Sequence, residues 1–204
     1  MNAQRRAPRA ARRNEAARRA ILTAALALTA QDGYARLTIE RIAVKAGTGK
    51  QTIYRWWPSK GAVLLDALLM ISEGDGDGTR PAELPDTGDL EADLKAVLHA
   101  TVSELNTPEI SKPMRALALE MLGDDVLAAD YRQRLERPVK EMKRRRLRRA
   151  QLAGHLAPEV DLDVAIEMIW GPLRNRWLHR EGPLTSSYVD TVLKTALDGM
   201  RPRP

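Results

Sequence analysis

Apolar residues recur at helical spacing along the chain, and short stretches of Gly, Pro and acid interrupt them. Ile21, Leu22, Ala25 and Leu28 form one face of a helix predicted from Asn14 to Gln31, where Asp32-Gly33 breaks it. Ile39, Ile42, Ala43 and Ala46 repeat the pattern behind Thr38, whose hydroxyl can cap the first turn. Gly47 closes that helix at once, because glycine takes positive φ without a Cβ penalty. Thr48 stands three residues before Gln51, a capping-box spacing, so a second short helix is predicted from Lys50 to Trp56 with Ile53 facing inward. Pro58 ends it and Ser59 can cap the next, which runs to about Glu73 through Val63, Leu64, Leu65, Leu68, Leu69 and Ile71.

Gly, Pro and acid then predict a mobile loop or hinge over residues 74–88. Asp75 and Asp77 lie between glycines there, but no Glu follows where a calcium loop needs one, and the segment reads as a solvated loop. Asp89 opens a helix through Leu94, Leu98 and Val102, and another runs from Pro108 to Leu122. Asp124 or Asp125 caps a long segment from Val126 to Leu152, in which Pro138 predicts a kink or a boundary. Gly154 stops it. A helix opened by Pro158 and Asp161 carries Ile166, Ile169, Trp170, Leu173 and Trp177, and Gly171-Pro172 within it predicts a kink or a very close neighbour. The last helix spans Thr185 to Met200. With abundant Ala, Leu and Arg and few β-branched runs, the chain is expected to be all-α.

Two short helices joined by a Gly-containing turn read as a helix-turn-helix. Lys50, Gln51 and Thr52 lie in the first turn of its second helix, with no bulky apolar side chain among them. Lys50 can donate to guanine O6 or N7, and Gln51 can pair with adenine N6 and N7. Thr52 and Tyr54 offer hydroxyls, and Arg55 and Lys60 offer charge, for phosphate oxygens.

The ordered set T-I-E-R-I-A-V-K-A-G-T-G-K-Q-T-I-Y-R-W-W-P-S-K, from Thr38 to Lys60, resembles the DNA-binding signature of the TetR/AcrR family of transcriptional regulators. Its specific parts are Ala46-Gly47, Thr52-Ile53-Tyr54 and Ser59-Lys60, and the match covers residues 18–69. Trp56-Trp57 departs from the common pattern and reads as a packing feature. The resemblance implies a three-helix N-terminal DNA head, joined to a C-terminal helical domain for ligand binding and dimerisation. The chain is expected to divide into a basic disordered arm over 1–13, a DNA-binding domain over 14–60, a connecting helix near 59–73, and a regulatory and dimerisation domain over 74–204. Bases would meet Lys50, Gln51 and Thr52; phosphates would meet Thr38, Thr48, Tyr54, Arg55 and Lys60. The last two helices would join two subunits, and a small-molecule effector would control binding to a double-stranded operator.

The net charge of +6 changes this picture in one place. Arg5, Arg6, Arg9, Arg12, Arg13, Arg18 and Arg19 stand against Glu15 alone in the first nineteen residues, which therefore carry the whole excess. Beside a helix-turn-helix, Arg5, Arg6, Arg9, Arg12 and Arg13 form an arm suited to phosphates or the minor groove. Around the second basic run, Lys140 to Arg149, helical spacing is kept by Leu135, Val139, Met142 and Arg146 or Leu147, and the run reads as a solvated outer face. Arg18-Arg19 before an Ala- and Leu-rich run resembles a secretory leader, but cleavage there would discard the first helix, so a cytoplasmic protein is expected.

No cysteine is present, and His99, His155 and His179 lie far apart, which excludes thiolate chemistry and gives no metal-ligand spacing. Asp124-Asp125 and Asp161 with Asp163 are helix-start charges. No phosphate loop or nucleophile motif occurs, so neither an enzyme nor a cofactor is expected. Met114, Leu117, Met121, Met142, Ile166, Trp170 and Leu173 are the candidates for an effector pocket, and each also suits a plain core. The alternative to a ligand-responsive repressor is an architectural DNA-binding protein without effector, driven by the arginine arm. A third reading is an enzyme or small-molecule binder whose helix-turn-helix is only structural.

Overall fold

The computed structural model describes residues 9–72 and 83–202, with side chains from residue 13 onward, and every regular element in it is helical. The helices are α1 (Arg9–Asp32), α2 (Ile39–Lys45), α3 (Lys50–Tyr54), α4 (Lys60–Ser72), α5 (Leu90–Leu105), α6 (Pro108–Glu120), α7 (Asp125–Tyr131), α8 (Arg137–Leu152), α9 (Leu162–His179) and α10 (Ser186–Met200). The all-α expectation holds. Contacts divide the described chain into two compact units: residues 9–72 with Lys112–Ala128, and residues 83–111 with 129–202. This spatial division differs from a cut along the chain near residue 74, because the segment from Lys112 packs on the N-terminal helices.

The first unit is built on α1, which packs on α2 and α4, and on α2 against α3. Ile21, Leu22, Ala25, Leu37, Ile42, Ile53, Trp57 and Val63 are buried together as its core. The predicted apolar faces of α1 and α2 are therefore the faces in use. Helix α1 begins at Arg9, so residues 9–13 of the expected disordered arm have helical backbone, whereas Arg5 and Arg6 lie outside the described residues. The returning segment meets this core at Gly61, where an added Cβ would stand 2.8 Å from Leu127 Cδ2. Lys112 donates its ammonium to the Ala30 carbonyl at the end of α1. Half-burial of Tyr34, with the Glu120 carboxylate beside it, pushes its hydroxyl pKa upward.

The second unit packs α5 on α10, α10 on α9 and α9 on α8. Its buried apolar residues include Leu94, Leu98, Leu147, Ala165, Ile169, Leu173, Val189, Leu193 and Leu197. Asp89, Asp161 and Thr185 cap α5, α9 and α10 through their side chains, as their positions predict. Asp124 is the cap of α7, accepting from Leu127 N at 2.9 Å. The long segment from Val126 to Leu152 is broken by a π-helical stretch, Arg132–Glu136, immediately before α8. Pro138 is its cause in sequence: it has no N–H for the carbonyl of Arg134, and its ring crowds that carbonyl. In contrast, α9 runs through Gly171-Pro172 without interruption, and among the described residues no neighbour from another element lies within 4 Å of a Cβ added at Gly171.

Two expectations for this unit need correction. The predicted loop lies outside the described residues up to 82; residues 83–88 are without helix or strand as expected, but pinned rather than mobile: Arg146 Nε donates to Pro85 O at 2.7 Å, and Asp93 accepts from Thr87 N at 2.9 Å. The basic run of α8 is likewise not a solvated outer face. Arg146 is 1% exposed and pairs with Asp93 at 2.9 Å, Arg149 pairs with Glu83 at 2.7 Å, and Arg144 and Lys140 both hold Asp163. Lys143 lies over the Trp170 ring, 4.3 Å from its centroid. Periodicity placed these residues on one helix but carried no information about the acids of other elements that face them. Asp75 and Asp77 lie outside the described residues.

Candidate nucleic-acid interface

The turn between α2 and α3 is set by local chemistry. Thr38 Oγ1 accepts from Arg41 N at 3.2 Å and starts α2. At the other end Gly47 takes φ of 64°, while Gly47 N donates to Val44 O at 3.2 Å and Thr48 N to Ala43 O at 3.0 Å. These two bonds are the Schellman pair, which satisfies the last carbonyls of α2 and reverses the chain. Thr48 is consumed in closing α2, so the expected capping box with Gln51 does not form; Gly49 is the N-cap of α3, with no side-chain bond. An alanine at Gly47 is expected to destabilise this unit by about 1–2 kcal/mol, the cost of a left-handed residue with a Cβ, as thermal unfolding would show.

Helix α3 ends at Tyr54, two residues short of the sequence prediction. Trp57 explains the early stop. It is 4% exposed, and its indole N–H donates to Asp66 Oδ2 at 2.9 Å, which requires the chain to turn inward before Pro58. Arg18 on α1 donates to the same oxygen at 3.0 Å, so Asp66 joins α1, the end of α3 and α4. The buried acid is a functional support that pattern reading missed, because a single Asp in the apolar run of α4 has no visible partner in sequence. Ser59 caps α4 as expected, accepting from Ala62 N at 3.2 Å.

With Ile53 fully buried, the first turn of α3 faces outward. Lys50 and Gln51 are exposed and Thr52 is half-buried beside them, while Thr38, Tyr54 and Arg55 are exposed on the flanks. Gln51, Thr52, Tyr54 and Arg55 border an open depression of about 510 Å³. Arg55 stacks over Trp56 at 5.3 Å from its ring centroid. Lys60 is more constrained than its sequence position suggests: its ammonium stands 4.1 Å from the Tyr34 ring centroid and donates to Tyr34 O at 3.4 Å. Lys50 Nζ lies 3.3 Å from Glu40 Oε1. A backbone N–H in its own turn, and after it Lys50, hold the Glu40 carboxyl below the usual range. Of the arm residues with described side chains, Arg13 is exposed.

The candidate effector residues fall in different units. Met114, Leu117 and Met121 lie on the 112–128 segment of the first; Met142, Ile166, Trp170 and Leu173 lie on α8 and α9 of the second. Leu117, Ile166 and Leu173 are buried and the other four are half-buried. Among the described residues no group of three or more His, Asp or Glu is placed to hold a metal, and no helix is long and apolar enough to cross a membrane.

A short helix held by one apolar anchor, with a polar first turn turned outward beside a glycine corner, defines a helix-turn-helix DNA-binding protein. Residues 21–67 match the family model for bacterial regulatory proteins of the tetR family, and residues 84–196 match the tetracyclin repressor-like C-terminal domain. The chain is 31% identical over 190 residues to the uncharacterized HTH-type transcriptional regulator YdeS of Bacillus subtilis, covering 93% of this chain and 92% of that protein. The DNA-binding transcriptional repressor TetR of Mycobacteroides abscessus is 28% identical over 186 residues, 91% of this chain and 94% of its own length. Among solved structures, the TetR family transcription regulator SCO0332 superposes with a TM-score of 0.71 at 34% identity, covering 91% of this chain and 99% of that one. The chain belongs to the TetR family of transcriptional regulators, and its function is DNA-binding regulation of transcription.

Proposed function

We propose that this protein is a homodimeric, ligand-responsive repressor that acts in the cytoplasm and binds a palindromic operator through α3. The observation that carries the reading is the preformed first turn of α3, with Lys50, Gln51 and Thr52 presented beside the buried Ile53 anchor. Lys50, Gln51 and Thr52 read base edges, and Thr38, Thr48, Tyr54, Arg55 and Lys60 meet phosphates on either side. The arm with Arg5, Arg6, Arg9, Arg12 and Arg13 adds counterion release. A relative that is a repressor by name supports the sign of regulation.

Dimerisation through α9 and α10 is supported by what these helices leave uncovered. Val164 and Met168 are 52% and 46% exposed, and Gly171 continues their face with open space above it. On α10, Gly199 is likewise open. To enter successive major grooves of a palindromic operator, the two α3 helices of such a dimer would have to sit about 34–36 Å apart. An effector held among apolar residues of the second unit, such as Ile166, Trp170 and Leu173, then shifts the dimer toward a spacing that fits DNA less well. A coupling of about 1–3 kcal/mol gives a 5- to 150-fold change in affinity.

The test is substitution on the reading surface. Lys50→Ala and Gln51→Ala are expected to relax base preference at single positions, whereas Lys60→Ala lowers affinity for all sequences alike. Binding titrations against a panel of single-base operator variants read the difference. Equal losses on specific and random DNA for all three variants would sink the assignment.

A further inference from the structure

We propose that Glu40 is a specificity-determining residue of the DNA-reading surface, acting through its ion pair with Lys50. The inference rests on the base-reading role proposed above for α3. Glu40 lies in the first turn of α2 and Lys50 opens α3, ten positions later. The Schellman turn at Gly47 brings the two helix starts together, so Lys50 Nζ stands 3.3 Å from Glu40 Oε1. Their side chains are 57% and 58% exposed, and the pair therefore sits on the open face rather than in the core.

A carboxylate on a face that approaches phosphates weakens binding to every sequence, because it repels the backbone that the cations attract. A side chain with that cost alone would serve nothing. Paired with Lys50, however, it presents an acceptor beside a donor. This is the complement of a G·C edge in the major groove, where guanine O6 and N7 accept and cytosine N4 donates. At such a pair Lys50 reaches guanine while Glu40 accepts from cytosine. On other sequences Lys50 must leave Glu40 to find a phosphate, and the carboxylate then faces either a base acceptor or the negative backbone without its partner. Glu40 thus turns a cation that would grip any phosphate into one that discriminates.

The structural alternative is that the pair merely ties α2 to α3. An exposed ion pair adds little to stability, and Ile42 and Ile53 already fix the two helices from inside. The alternative therefore predicts no change in base preference.

The experiment uses the full-length protein, Glu40→Ala and Glu40→Gln. Preferred sites are selected from a randomised duplex library for each. Anisotropy titrations then compare the wild-type site, the same site with its selected G·C pair changed to A·T, and a random duplex. The wild type is expected to prefer G·C at one position of each half-site by about tenfold or more, the discrimination of a good contact pair. Glu40→Ala is expected to bind the random duplex more tightly and to lose that preference, and Glu40→Gln, which keeps an acceptor without the charge, to retain part of it. A base profile unchanged in Glu40→Ala would overturn the proposal. So would an equal loss of affinity on all three duplexes together with a lowered Tm, since that is the signature of a structural tie. A wild type that selects no motif at all would remove the base-reading role of α3 itself, and with it the inference.

Discussion

Replacing Arg146 with methionine is expected to lower the stability of the protein by about 3–5 kcal/mol, the range for breaking a buried ion pair from one side. The guanidinium is 1% exposed and Asp93 5% exposed, so neither charge has water to fall back on. Arg146 donates to Asp93 at 2.9 Å and to Pro85 O at 2.7 Å, and lies 3.3 Å from Asp86. Without it, Asp93 keeps the two donors of Thr87, and the 83–89 segment loses its buried tie to α8 and is held there by the half-exposed pairs of Arg149 with Glu83 and Asp86. For a chain of this size, the drop in Tm should be roughly 6–20 °C, read by circular dichroism. Adding Asp93→Leu should return part of the loss, because no buried charge then remains.

The same pair carries a pH dependence. Burial alone raises the Asp93 carboxyl, but Arg146 and Thr87 outweigh it and hold the group below the usual carboxylate value. The sign follows from the depressed folded value: the contribution is complete above the unfolded value of about 3.9 and disappears as pH falls through the folded one. The stability gap between wild type and Arg146→Met should therefore be full at neutral pH and narrow below about pH 4. A gap independent of pH, or a loss within about 0.5 kcal/mol as for an ordinary surface change, would contradict the buried network.

The second large effect belongs to the other unit. Ile53→Ala should cost about 2–5 kcal/mol, the range for a large-to-small change at a closed core site. Ile53 is 0% exposed among Ile21, Leu22, Leu37, Ile42 and Trp57, and it is the one fully buried residue of α3. A helix of five residues has no stability of its own, so this anchor decides whether the first turn is presented at all. Affinity for operator DNA should fall with stability. Gln51→Ala offers the control: exposed on the same helix, it should leave stability within about 0.5 kcal/mol while changing base preference.

What the sequence made legible follows from the range of each signal. Thr38, Gly47 and Ser59 act within a few residues of themselves, so the start of α2, its left-handed close and the cap of α4 could be read directly. Amphipathic spacing gave the buried faces for the same reason. Thr48 misled because its backbone N–H, which a capping box would offer to the Gln51 side chain, already donates to Ala43 O. The supports with distant partners were hidden. Arg146 and Asp93 are 53 positions apart and Lys112 and Ala30 are 82 apart; helical spacing put Arg146 or Leu147 on the inner stripe of α8, but nothing in that pattern showed a buried acid waiting for the guanidinium. The pairing of Glu40 with Lys50 was hidden too, since it depends on the angle at which Gly47 returns the chain.

The most direct test of the central claim is fluorescence anisotropy of the full-length protein on DNA flanking its own gene, beside a random duplex of equal length, across a salt series. Sequence-specific regulation predicts that the flanking DNA binds tighter by a factor of about a thousand or more, with the ratio persisting as salt rises. Equal binding of the two duplexes, both fading together with salt, would contradict it and move the arginine-driven architectural reading into first place.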